Sequence, residues 1–134
     1  MALETIKKWI IKAENDLKIG KDEILTNNPA TDAICFHMQQ CVEKYLKIFL
    51  LYNKKTFRKT HNIAELIYLC SQIDDEFKYL SKLGATELTS YAIEIRYGDD
   101  FYMPTIDEAK EAIEIAEKTK EFVLKKLKEK GFNT

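Results

Sequence analysis

The segment Arg96-Tyr97-Gly98-Asp99-Asp100-Phe101-Tyr102 puts a planar cation, two carboxylates and three aromatic rings within a few residues of one another. A guanidinium can grip a phosphate through two parallel hydrogen bonds while a neighbouring ring stacks on a base. The chemistry suggested is recognition of a nucleotide or RNA, with Arg96, Tyr97, Asp99 and Tyr102 as contacts. The same residues also describe a plain surface turn, in which Arg96 pairs with Asp99 or Asp100 and the rings plug the end of a bundle.

A second set, Gln39, Gln40, Glu43, Lys44 and Lys47, is spaced along one helical strip, with Gln40–Lys44 and Glu43–Lys47 one turn apart. Its amides and ammonium groups, Gln40, Lys44 and Lys47 above all, suit contact with phosphate or base edges. Spacing alone favours a solvated face braced by local pairs. His37 and Cys41 also lie one turn apart, but no second pair with metal-ligand spacing accompanies them, so core or interface packing is expected and no metal is assigned. His61 directly precedes Asn62, a helix-capping residue type, which gives it a local task at the start of a helix. General-base service is the alternative, because a free imidazole titrates near neutrality. No Gly-rich phosphate loop, nucleophile elbow or helical zinc signature is present.

These residues must be positioned by helices. Leu3, Ile6, Ile10, Ala13, Leu17, Gly20 and Ile24 recur at steps of three and four, the period of a helix with one buried stripe. Asn27-Asn28-Pro29 ends that helix, and Asn28 as cap with Pro29 at the first position opens a second one reaching Tyr52. Its later half, Tyr45 to Tyr52, is apolar nearly all round, which in a small domain points to a dimer interface. A basic loop, Asn53 to His61, follows. Asn62 with Glu65 predicts a capping box for a third helix through Ile63, Leu66, Ile67 and Cys70. Asp74 to Ile95 predicts a short helix with Phe77 and Leu80, a break near Gly84, and another helix through Leu88, Ala92 and Ile95. Thr105 with Glu108 predicts a further box opening a final helix that ends near Gly131. The expectation is an all-α protein, residues 1–134 forming one antiparallel up-and-down bundle of four main helices plus a short extra one.

Composition supports this. The chain has 134 residues with only four Gly and two Pro, too few for strands joined by tight hairpins. Its 21 basic and 22 acidic side chains sum to −1, which argues against wholesale coating of nucleic acid or anionic membrane. That sum hides a basic loop at Lys54, Lys55, Arg58 and Lys59, and an acidic stretch from Asp99 that runs into a lysine-rich final helix whose charge order suits a helix macrodipole. The start lacks an apolar run of signal-peptide length, and no segment approaches the ~20 apolar residues of a membrane span, so a cytoplasmic location is expected. Cys35, Cys41 and Cys70 are odd in number and form no CxxC pair, which suits buried thiols in a reducing compartment.

In order along the chain, Ala13 and Asp16, then Phe36 with Gln40, Glu43, Lys44 and Lys47, then Thr60-His61-Asn62, then Arg96-Tyr97 before an acidic loop resemble the HEPN domain family (higher eukaryotes and prokaryotes nucleotide-binding). The resemblance covers nearly the whole chain. It implies an up-and-down helical bundle, usually a homodimer, often encoded beside a minimal nucleotidyltransferase that acts as antitoxin to a HEPN toxin. Toxic members are metal-independent ribonucleases whose motif is Arg, a polar residue, and His four to six residues after the Arg. Arg96 matches the arginine, but Tyr97 occupies the polar position and Phe101, Tyr102 and Met103 stand near where the histidine belongs. Neither Phe nor Met can move a proton, and a phenol with a reference pKa near 10 is a poor base. The expectation is therefore a nucleotide- or RNA-binding module without its own catalysis and without a cofactor, acting with a separate nucleotidyltransferase. The rival expectation is an endoribonuclease toxin with an atypical site.

Overall fold

The computed structural model describes residues 2–93 and 102–133, and among them all regular structure is helical. The four main helices are α1 (Ala2–Glu23), α2 (Thr31–Tyr52), α3 (Ile63–Ile73) and α6 (Ile106–Glu129). Between α3 and α6 the expected short helix, break near Gly84 and further helix take the form of a run of short pieces, with Ile95 outside the described residues. The run consists of a 3₁₀ turn at Asp75–Phe77, α4 (Lys78–Lys82), a second 3₁₀ turn at Ala85–Leu88, and α5 (Thr89–Ile93). The break falls at Gly84, whose φ of +93° is a left-handed conformation that a β-carbon disfavours.

α2 is the central element. It packs mainly against α1 and α6, and also touches α3 and α5. Tyr45, Leu46, Ile48, Phe49 and Leu50 are fully buried within the single chain, and the Phe49 ring meets Phe77 at 4.3 Å. The all-round apolar half of α2 is thus covered by the chain's own helices. That feature needs no second subunit to account for it. At Gly20 of α1 an added β-carbon would sit 2.5 Å from the Met38 methyl of α2, so a side chain there would require the flexible end of Met38 to shift.

Two predicted caps changed on folding. Asn28 takes a left-handed turn conformation (φ +59°) instead of capping α2, and the helix starts at Thr31 after Ala30, which makes no side-chain cap. Glu23 from the end of α1 accepts the Ala30 amide at 2.9 Å, and the Thr31 hydroxyl bonds the Pro104 carbonyl at 2.7 Å, tying α2 to the approach to α6. Asn62 does cap α3 by accepting the Glu65 amide, but the Glu65 carboxylate is held by Arg58 at 2.6 and 2.8 Å, so it does not reach back to complete a box. At α6 the Thr105–Glu108 box forms in full.

The three thiols are buried and unpaired, and burial pushes Cys35 up to about 12. No helix among the described residues is long and apolar enough to cross a membrane.

Candidate functional site

The polar strip of α2 is not a solvated face. Gln39 is fully buried, and Glu43 and Lys47 are buried with it. Charged groups taken out of water need partners, and here they form one connected chain of hydrogen bonds. Asp16 of α1 accepts His37 Nδ1 at 2.8 Å through one oxygen and Lys44 Nζ at 2.7 Å through the other. Lys44 also reaches Gln40 Oε1 at 3.4 Å, and Gln40 Nε2 donates to Gln39 Oε1 at 2.7 Å. Gln39 Nε2 donates to Glu43 Oε1 at 3.2 Å and to the His61 carbonyl at 3.4 Å. Glu43 then meets His61 Nδ1 at 2.7 Å through Oε1 and Lys47 Nζ at 3.3 Å through Oε2.

The seam therefore has an imidazole at each end, and each ring holds Nδ1 against a carboxylate. His37 is 28% exposed, whereas His61 is 65% exposed with the 6%-exposed Glu43 behind it. His61 sits at the start of α3, but its ring is bonded to Glu43 of α2, while Asn62 caps α3 as expected. The backbone on either side of it is fixed, since the Asn62 amide donates to Thr60 Oγ1 and the Ile63 amide to Thr89 Oγ1 of α5, both at 3.1 Å.

Of the residues predicted to contact ligand, Gln40, Lys44 and Lys47 lie in this seam, and both ammonium groups are already held by carboxylates. Tyr102 lies elsewhere. It is exposed at a cleft of about 290 Å³, and its hydroxyl donates to Glu108. That bond to Glu108 raises the Tyr102 phenol, while the Thr105 amide and the Tyr102 hydroxyl lower the Glu108 carboxyl. Glu87 and Glu111 also line the cleft, so its field opposes phosphate. Arg96, Tyr97 and Asp99, together with Asp100 and Phe101, fall outside the described residues.

A second charge cluster braces the other side of α6. Lys126 is buried among Asp74 at 2.8 Å, Glu76 and Glu129, so this part of the lysine-rich helix is a tie to the turn after α3. Glu14 similarly joins three helices, accepting the buried Tyr45 hydroxyl and Lys120 Nζ. Among the described residues no group of three or more His, Cys, Asp or Glu is placed to hold a metal ion.

Sequence reasoning found the members of the strip but not their environment. Asp16 and His61 lie 28 residues before Lys44 and 18 after Glu43 respectively, and only the fold shows them as partners. The one available signal was the residue types: a helix with Gln, Gln, Glu, Lys and Lys inside an otherwise apolar stretch.

A small helical bundle threaded by a buried, fully bonded polar seam is the class that the fold and the site define. The family model described as HEPN domain matches residues 6–127, and the chain belongs to that family. A relative from Methanocaldococcus jannaschii, named "Putative toxin MJ1304", is 29% identical over 137 aligned residues, covering 92% of this chain and 89% of the relative. No solved structure matches the chain.

Proposed function

We propose that this protein is a toxin-type HEPN module that binds RNA or a nucleotide, acts as a cytoplasmic homodimer, and is controlled by a separate minimal nucleotidyltransferase. The observation that carries this reading is the HEPN match over residues 6–127, which spans every element that holds the polar seam. The name of the archaeal relative supports the toxin part. In this reading Arg96 grips phosphate with Tyr97 and Asp99 beside it, the seam holds α1, α2 and the start of α3 in fixed relation, and Tyr102, in its cleft with Glu87 and Glu111, takes no part in the phosphate contact.

The test is co-expression with the minimal nucleotidyltransferase proposed as partner, followed by titration of wild type and Arg96→Ala with ATP and with a labelled single-stranded RNA. Co-purification and binding weakened at least tenfold by Arg96→Ala are expected. No retained partner together with no Arg96-dependent binding rejects the proposal. A second reading, an endoribonuclease lacking the motif histidine, is favoured by one specific observation: an exposed imidazole, His61, backed by a buried carboxylate.

A further inference from the structure

His61 combines three properties that no other described side chain brings together. Its ring is oriented, because a carboxylate that already accepts from Gln39 and Lys47 can only accept, so the proton of the neutral ring sits on Nδ1. Its other nitrogen, Nε2, is then the basic one, and no partner for it is found among the described residues. Its side chain is 65% exposed, so a substrate can reach it, whereas His37 shares Asp16 with an ammonium and is largely covered. A base fixed in tautomer and direction by a carboxylate behind it is the arrangement that general-base chemistry requires. Lys59 and Lys54, exposed in the loop that leads to His61, supply positive charge for an anionic substrate.

We infer that His61 is the general base of an RNA-cleaving site, with Glu43 as its positioning residue and a ribose 2′-hydroxyl as the group it deprotonates. This rests on the proposed RNA binding and gives that reading its chemistry. The substrate carries its own nucleophile, so proton transfer is the chief task left to the protein. As Nε2 takes the 2′-hydroxyl proton, the 2′-oxygen bonds to the adjacent phosphorus and the P–O5′ bond breaks. The leaving 5′-oxygen takes a proton from water, and the proton on Nε2 passes to the hydroxide left behind. The products are a 2′,3′-cyclic phosphate and a 5′-hydroxyl, and no other reactant is consumed.

The experiment uses the full chain, excess chelator, and a fluorescent single-stranded RNA of mixed sequence beside its all-2′-deoxy counterpart. Binding is followed by anisotropy, cleavage by gel, and product ends by mass spectrometry. Wild type should cut the RNA to cyclic phosphate ends and leave the deoxy strand intact. His61→Gln should bind RNA within about twofold of wild type, melt within about 5 °C of it, and cleave at least ~100-fold more slowly. His61→Ala should regain rate on addition of free imidazole, a response that a structural role does not produce. Glu43→Gln, which keeps an acceptor for Nδ1–H, should lower kcat about tenfold with KM held. Wild type that binds RNA without cutting it, or cleavage unchanged in His61→Gln, overturns the assignment and leaves the binding reading standing. Absence of RNA binding by wild type overturns the assignment and, of the binding reading, leaves only the nucleotide part.

Discussion

Two charge clusters in this bundle are built from similar parts and differ in what they leave open. Around Lys126, Asp74 and Glu76 close on one buried ammonium, and the cluster ends there, tying α6 to the turn after α3. Around Asp16 and Glu43, two carboxylates, two ammonium groups and two glutamines are linked into a seam that runs out to an exposed imidazole. A cluster whose members satisfy one another is a brace. A cluster that fixes a titratable ring and leaves one of its nitrogens accessible is equipped for proton transfer.

The largest effect that sharpens this contrast is on stability at the seam. Glu43→Ala strands Lys47 and Gln39 in the interior and should cost about 3–5 kcal/mol in urea unfolding. A loss below about 1 kcal/mol would show the seam to be solvated. Lys126→Ala should cost less, about 1–3 kcal/mol, because Glu76 is mostly exposed and Asp74 keeps the Glu76 amide as donor.

The pH dependence of the closed cluster comes next. Burial raises the Asp74 carboxyl, but Lys126 and the Glu76 amide outweigh it and hold the group below its ordinary value of 3.8. Lys126 is raised above 10.5, with Asp74 and Glu76 as the leading causes. A depressed carboxyl contributes stability that is present above pH 3.8 and is lost as pH falls through its lower folded value. A raised ammonium contributes stability that is present below pH 10.5 and is lost as pH rises through its higher folded value. Melting temperature scanned from pH 7 to 2 should therefore fall less steeply below pH 4 in Asp74→Asn than in wild type. Parallel curves would show that the Lys126 cluster adds nothing.

The smallest stability effect belongs to the residue with the proposed chemical role. His61→Gln removes an exposed ring and one of the donors to the buried Glu43, which keeps Gln39 and Lys47, and should cost no more than about 1 kcal/mol. A loss of 2 kcal/mol or more would place His61 with the braces and erase the contrast.

Much of the fold was legible in the sequence because it depends on local rules. The three- and four-residue steps of α1, the Thr105–Glu108 box and the Asn62 cap each need only neighbours within one turn. The sequence points to Asn28 as the cap of α2, whereas the helix starts without a side-chain cap and its Ala30 amide is taken up by Glu23 of the preceding helix. The apolar end of α2 resembles a dimer face for a related reason: periodicity reports that a side is covered, not which chain covers it. The strip at Gln39–Lys47 was recognised as polar, yet its burial depends on Asp16 and His61, which tertiary structure alone brings to it. Tyr102 stood within a motif of nucleic-acid type, and folding bonds it to Glu108 beside two further glutamates.

The proposed proton transfer requires Glu43 to fix the His61 ring with Nδ1 protonated and Nε2 open. A long-range proton–nitrogen correlation spectrum of uniformly ¹⁵N-labelled protein, assigned with His61→Gln and recorded where the ring is neutral, reads the tautomer directly. The predicted result is the Nδ1–H form for His61, converting to the Nε2–H form in Glu43→Ala if that variant remains folded. An Nε2–H tautomer in the wild-type protein would contradict the account.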